Sequence, residues 1–554
     1  MAERRVRMVV RGMTCDHCEV SVSKALEAAG AREPKVDFRR EEAVFLLGSE
    51  VDEAKVAEAV RAAGYRPEKV EVLEAEIPRP LGQAPPTSSR DSYDLAIIGS
   101  GSAAFAAAIR ARDLGARVVM VEHGTLGGTC VNVGCVPSKA LLRAAEVYHQ
   151  AGHHPFAGIE TRAVGVDLKA VVEQKRELVR VLRQKKYEEL VGLYGWEVIP
   201  GHAEFQDGEA LRVNGTALRA ARYLIATGAS PAVPPVEGLA GAGYLTSTTA
   251  LELEAVPPSL AVIGANAVGL ELGQLFQRFG SRVTLIEILP RIAPFEEPEV
   301  SDCLAGILRD EGMEILTGAR LTRVDSTAAG KRLRMKVGED LQEVLVSGIL
   351  VATGRRPNTQ DLGLDRAGVE VDSRGAVIVD ETLRSTNPRV WAAGDVTPAP
   401  QFVYVSAFEG AAAAENAVNG AGRRVDLSVV PRVTFTSPQI AAVGLTEKEA
   451  RERGCEVTTS VLGLEALARG WVNRETRGLF KLVADAATNR LLGAHVVADP
   501  AGDVIYAAVL AVQHRLAVAD LVNTFAPYLT MAEGLRLAAQ TFKRDVAKLS
   551  CCAA

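Results

Sequence analysis

Two stretches of the chain, YDLAIIGSGSAAFAAAIRARDLGARVVMVE and LAVIGANAVGLELGQLFQRFGSRVTLIE, repeat one pattern. Each runs from an apolar strand through a glycine turn and a helix-spaced segment to a second strand ending in glutamate. Gly99, Gly101 and Ala104 stand in the first turn, and Glu122 follows Gly99 by twenty-three residues. Gly264 and Gly269 stand in the second, and Glu287 follows Gly264 by the same interval. Such glycines let the backbone approach a pyrophosphate, while the acid accepts from an adenosine ribose hydroxyl. One copy is a weak signal. Two copies predict two nucleotide-binding units and electrons moving between two cofactors. The second copy departs at its middle position, Asn266, so its turn is less typical. The fold class that follows is α/β, with two Rossmann-like domains.

Between the two copies lies GGTCVNVGCVPSK, Gly127 to Lys139, with four residues separating Cys130 from Cys135. Pro137 is preset for a first helical turn, which puts Cys135 at a helix start. Backbone N–H groups there favour a thiolate, the form in which cysteine is a nucleophile or a soft-metal ligand. The plain alternatives are two structural cysteines or a surface disulfide. A bridge this short closes too small a loop to stabilise much, and close cysteine pairs in a reducing compartment point to metal or redox chemistry.

At 554 residues the chain is too long for one ordinary core, and three or four domains are expected. No apolar run is long enough to cross a bilayer, so no membrane insertion is expected. A net charge of −6 with no basic block argues against nucleic acid as a partner. Met1 to Thr14 has no sustained apolar core of a secretory signal, which makes the expected location cytoplasmic. Cys303 and Cys455, each alone, are read as ordinary thiols.

Residues 1–76 alternate as strand, helix, strand, strand, helix, strand, implying a small ferredoxin-like βαββαβ sandwich. GMTCDHC falls between its first strand and helix. Cys15 and Cys18 then offer two thiolates at a helix start, a two-coordinate site for Hg(II), Cu(I) or Zn(II). A thioredoxin-like CxxC competes, but the unit is too short and its element order differs; His17 is expected to face solvent. Residues 77–90, IPRPLGQAPPTSSR, read as a Pro-rich linker, whose polyproline-like reach is roughly 40 Å.

From about Tyr93 to the C-terminus the order of these motifs resembles the flavoprotein disulfide reductase family, which includes glutathione reductase and dihydrolipoamide dehydrogenase. GMTCDHC resembles a heavy-metal-associated domain. Together with the vicinal Cys551 and Cys552 near the C-terminus it is similar to the mercury-reducing branch of the family. The resemblance implies a homodimer that binds FAD, draws electrons from NADPH or NADH and reduces Hg(II), delivered as thiol complexes, to Hg(0). It implies an FAD domain split as 91–236 and 356–426, an NAD(P)H domain at 237–355 and an α+β dimerisation domain at 427–554. Gly128, Thr129, Lys139, Gly228, Gly354 and Asp395 would belong to the cofactor sites. Cys135 would lie against the flavin, with Cys130 farther out, and Cys551 and Cys552 would hand metal to that pair across the dimer.

One substitution separates the branches. Disulfide-reducing members carry a histidine five residues before the glutamate that is Glu533 here, whereas this chain has Tyr528. A phenol with a pKa of about 10 is a poor base at neutral pH. Glutathione or lipoamide reduction therefore becomes the alternative function, and a metal carrier is the alternative from another class. Tyr187 in KKYEEL would join Tyr528 beside bound mercury by resemblance; without it, Tyr187 is an exposed helical tyrosine. Glu287 favours the free ribose of NADH, while Arg282 and Arg291 could compensate the 2′-phosphate of NADPH.

Overall fold

The computed structural model describes residues 4–13, 16–37, 41–48, 53–72 and 93–546. Cys15, the expected linker at 77–90, and Cys551 and Cys552 lie outside the described residues. The chain divides into two compact units, Met1–Ser88 and Ser89–Ala554.

In the first unit Arg4–Arg11, Arg32–Asp37, Glu42–Leu47 and Arg66–Val72 form one antiparallel sheet. Its spatial order is second, third, first, fourth strand. Val6, Met8 and Val10 alternate inward along the first strand, as do Ala43, Phe45 and Leu47 along the third. Val22 and Leu26 of helix Asp16–Ala28, with Val56 and Val60 of helix Glu53–Ala62, close that face. Cys18 sits in the first turn of its helix, half-buried against this core.

The second unit opens with the parallel strands Tyr93–Ile98 and Val118–Glu122 joined by the alanine-rich helix Ser102–Asp113. Thr216–Ile225 pairs in parallel on the other side of Tyr93–Ile98, and Val390–Ala392 returns to pair with it across a long insertion. The insertion contains the second parallel sheet, in the order Glu314–Leu316, Arg282–Ile286, Ser259–Ile263, Gly348–Val351. The chain crosses between the two sheets twice, and the crossings pair with each other as the antiparallel strands Ala229–Pro231 and Arg355–Pro357. Five antiparallel strands follow from Arg432 to Ala498, covered by helices Ala501–Gln513 and Glu533–Gln540. Among the described residues no helix is long and apolar enough to cross a membrane.

The repeat in the sequence is a repeat in space. Gly99 has φ +103° and Gly264 φ +98°, conformations that suit glycine. A methyl group on Gly99 would lie 2.4 Å from the Ala226 carbonyl oxygen, and one on Gly264 would lie 2.6 Å from that of Ala352. Glu122 accepts from Gly124 N–H at 2.6 Å, and Glu287 accepts from Leu289 N–H at 2.9 Å, two residues on in each case. Arg282 does not fit the role considered for it. It opens the strand whose far end leads to Glu287, roughly 16 Å away along an extended chain.

Phe45 is 1% exposed in a core made only of first-unit residues. Phe45→Ala should cost about 3–5 kcal/mol, much of the stability of so small a unit. Limited proteolysis should then cut within residues 1–88 while the remainder keeps its melting temperature.

Candidate active site

The thiol segment folds as two successive helices, Gly128–Val133 and Cys135–His153, meeting at Gly134. Cys135 is the first residue of the longer helix, so its sulfur lies at the end where free N–H groups favour an anion. Asn132, between the cysteines, pins the loop by donating to the carbonyls of Leu126 at 3.0 Å and Gly128 at 2.9 Å. Arg183 donates to the Asn132 side-chain Oδ1 at 3.1 Å. Neither residue was singled out from the sequence.

Both cysteines are free thiols, Cys135 the more exposed. The hydrogen bond from Cys130 lowers the pKa of Cys135 to about 7, against desolvation and with help from the Lys139 charge. That same hydrogen bond, with burial, raises the pKa of Cys130. The pair therefore holds one proton on Cys130 and presents Cys135 as thiolate near neutral pH.

Lys139, one turn into the helix, is held at 2.7 Å by Glu271, a carboxylate 5% exposed on helix Ala267–Arg278. The other Glu271 oxygen accepts from Phe435 N–H at 2.9 Å, and the Lys139 ammonium stands 4.6 Å from the Phe435 ring centre. Three segments distant in sequence thus fix one cation beside the thiolate. Glu271 was not found from the sequence; its one signal is a charged residue within an otherwise apolar helical run.

Tyr187 lies on a π-helical turn, Gln184–Glu188, a distortion common at functional sites. Its ring packs edge-on against Phe105 at 4.7 Å. Burial raises its pKa first, and the nearby Cys130 adds to the shift. It is half-buried rather than the exposed tyrosine the segment suggests in isolation. Tyr528 is 60% exposed and does not line the cleft that holds Cys130 and Cys135 in the same chain. Glu533, in contrast, is buried at the start of its helix.

Cys130 and Cys135 open onto a cleft of about 700 Å³. Gly99, Gly101, Glu122, Gly128 and Thr129 line one part of it, and Lys139, Gly228 and Asp395 another. Ser247, Leu251, Val268 and Leu272 extend the lining onto the inserted domain. Ala104 is buried behind the turn, Gly354 lies in the second crossing, and Gly264, Gly269 and Glu287 belong to the second glycine turn outside this lining. Glu287 is itself buried, with Ala265 N–H donating to it at 2.8 Å.

The lining fits a flavin dinucleotide. The Arg355 Nε is buried in the cleft without a hydrogen-bond partner, 3.6 Å from Asp395, and an unsatisfied charged donor of this kind calls for a polar ligand. Asp395 also accepts from Ser406 at 3.3 Å, and burial raises its pKa. Behind it Glu409, 1% exposed, accepts from Gly394 N–H at 2.7 Å and is pushed up to about 7 by burial.

Residues 93–410 match the family profile of the pyridine nucleotide-disulphide oxidoreductases, and residues 430–539 match that family's dimerisation domain. The chain is 50% identical over 550 residues to the mercuric reductase of Bacillus cereus, covering 99% of this chain and 87% of that protein. It is 48% identical over 553 residues to the mercuric reductase of Staphylococcus aureus, covering both chains fully. For that of Streptomyces lividans the identity is 53% over 467 residues, covering 83% and 98%. Among solved structures, the Cu(II) complex of the HOCl-induced flavoprotein disulfide reductase RclA from Escherichia coli superposes with a TM-score of 0.74 at 30% identity, over 82% of this chain and all of that one.

Alkylation of the reduced protein by iodoacetamide should rise with pH through a midpoint at about 7, because Cys135 reacts as thiolate and is protonated below that pH. Cys130→Ala removes the donor and should move the midpoint upward, toward the ordinary thiol value. A midpoint unmoved by that substitution would show that the hydrogen bond between the sulfurs does not set the thiolate.

Proposed function

This chain belongs to the pyridine nucleotide-disulphide oxidoreductase family, and from that premise we infer that it reduces Hg(II) to Hg(0) at the Cys130/Cys135 pair. The observation that carries this reading is a free cysteine pair, one sulfur at a helix start, beside an ammonium that Glu271 holds at 2.7 Å. The full-length likeness to mercuric reductases supports the choice of substrate.

An Hg(II)-dithiolate complex reaching the pair exchanges its two ligands for the two sulfurs in turn. Cys135 forms one Hg–S bond as one incoming thiolate leaves. Cys130 then forms the second bond, its proton leaving on the second thiolate, which departs as a thiol, so the metal is never stripped of ligands. Lys139 offsets the negative charge gathered on the two sulfurs, and Glu271 keeps that ammonium in place. FAD held in this cleft would supply the redox chemistry, the two-electron link between NAD(P)H and Hg(II). Glu122, at the end of its strand, would accept from the adenosine ribose, and Gly99, Gly101 and Ala104 would leave room for the pyrophosphate. Gly128, Thr129, Gly228 and Asp395 complete that site, while Gly264, Gly269, Glu287 and Gly354 serve the coenzyme side.

The rest of the reading extends from this centre. Residues 1–76 act as a ferredoxin-like metal-binding domain, supported by its element and sheet order, with Cys15 and Cys18 collecting Hg(II) for transfer over the 77–90 linker. The domain divisions at 236 and 355 are supported by the paired crossing strands, and that at 426 by the dimerisation domain match beginning at residue 430. The protein works as a cytoplasmic homodimer, in keeping with the dimerisation domain match, and Cys551 and Cys552 of each subunit deliver metal to the other. Tyr528 and Tyr187 flank the bound metal. The phenol at position 528 weighs against glutathione or lipoamide as substrate. Both coenzymes are used, with NADH at least competitive because the Glu287 carboxylate repels a 2′-phosphate.

Oxidation of NAD(P)H should require Hg(II) in excess thiol and release mercury as vapour. Cys130→Ala and Cys135→Ala should each abolish it, a loss on the order of 10³-fold or more for a covalent ligand in the reaction path, with FAD retained. Turnover of glutathione disulfide or lipoamide at a comparable rate would assign the site to disulfides.

Cys551→Ala with Cys552→Ala should slow turnover of bulky thiol complexes far more than of weakly liganded Hg(II) salts. Heterodimers pairing this variant with a Cys130/Cys135 variant should regain activity if delivery crosses the dimer. Silence in demonstrated heterodimers would rule out that route.

A further inference from the structure

Seven charged or titratable side chains gather where the inserted nucleotide domain meets the antiparallel sheet. Lys481, 1% exposed, projects from the strand Leu479–Asp485 and bonds Glu297 at 3.0 Å, Glu299 at 2.9 Å and Glu447 at 3.0 Å. Arg432 holds Glu296 through two bonds of 2.6 and 3.0 Å, and the fully buried His495 stands 3.9 Å from Glu296 and 3.8 Å from Glu297. Glu447 N–H also donates to Glu297, at 2.6 Å.

Glu296 and Glu297 end the loop that follows the strand Arg282–Ile286, and that loop leads back to the second glycine turn. Ala293 N–H donates to the Ala265 carbonyl at 2.8 Å, and Ala265 stands between Gly264 and Asn266. Ala293 has φ +42°, a conformation that disfavours a residue with a side chain and persists only where its surroundings hold it. Glu296 N–H and the Ser301 hydroxyl both donate to the Ala293 carbonyl, at 3.0 and 3.1 Å. A rigid chain of bonds therefore runs from the interface sheet, through Glu297 and Glu296, to the backbone of the second turn.

We propose that Lys481 is a positioning residue for the nicotinamide coenzyme, clamping the 288–297 loop so that Ala293 holds the second glycine turn in its binding shape. The proposal rests on the reading that this turn binds NAD(P)H. Buried ion pairs contribute little net stability compared with apolar packing, and their better-attested use is to select one geometry. Here the geometry selected is that of a ligand-binding turn which lacks the usual middle glycine.

The test is Lys481→Met in the FAD-loaded enzyme, with Glu299→Gln, at a partly exposed partner, as the milder variant should the first fail to fold. The KM for both NADH and NADPH should rise about ten-fold in Lys481→Met, and less in Glu299→Gln, since a broken buried pair leaves its partners' charges unmatched. The kcat at saturating coenzyme, the FAD content and the iodoacetamide titre of Cys135 should stay at wild-type levels. A purely structural role would lower the melting temperature and leave both KM values in place, which would overturn the proposal, as would loss of kcat at unchanged KM. Wild-type enzyme that oxidises neither coenzyme would instead refute the reading of the second turn.

Discussion

Everything in the redox centre depends on one close approach. A methyl group on Gly128 would lie 2.5 Å from the Gly101 Cα, so the helix carrying Cys130 can cross the first glycine turn only because Gly128 has no side chain. Ser100 reinforces the crossing, accepting from Gly127 N–H at 3.1 Å while donating to Glu122 at 2.6 Å. The segment that would hold a pyrophosphate and the segment that carries the thiols are therefore one rigid body. Electron transfer over contact distance asks for that rigidity, since a loop free to drift would separate sulfur from cofactor.

The electrostatics follow from the packing. Cys135 is disfavoured as an anion by desolvation and favoured by the Cys130 hydrogen bond and by Lys139. The favourable contributions win because they are short and directional, whereas the cleft leaves Cys135 partly open to water. Lys139 would escape to solvent on its flexible stem without Glu271. Glu271 in turn is buried in the nucleotide domain and tied to the interface domain through Phe435. The charge that tunes the thiolate is thus set by three domains at once, and disturbing any of the three junctions reaches the chemistry.

What could be read in the sequence was whatever the chain encodes locally. The two glycine turns, the helix start at Cys135 and the small βαββαβ unit each depend on residues a few positions apart, and local rules describe them. Glu271, Arg355 and Lys481 escaped because each acts through partners 120 or more residues away in at least one contact, and one chain with no comparison carries no record of such pairs. Arg282 was misjudged for a related reason. Its closeness to Glu287 in sequence is spent along an extended strand, which separates the two ends. Tyr187 shows the converse case: an ordinary helical tyrosine by pattern, it is turned inward by a π-helical irregularity that no periodicity announces.

The departure at Asn266 can be explained by comparing the two turns. Gly101 has φ −77° and Asn266 φ −106°, with ψ −171° in both, so neither position needs glycine for its backbone angles. The tight demand lies on the crossing residue instead: a methyl group at position 101 would lie 4.0 Å from the Gly128 Cα, in ordinary contact, whereas one on Gly128 would meet the Gly101 Cα at 2.5 Å. No thiol helix crosses the second turn, and its backbone is braced instead by Ala293 from the loop beyond Glu287. The same fold unit thus met two different constraints. In the first copy the thiol helix lies against the turn through Gly128, and in the second a side chain is carried at Asn266 while Gly264 and Gly269 stay glycine, one for its positive φ and the other because a methyl group there would collide with the Gly264 carbonyl.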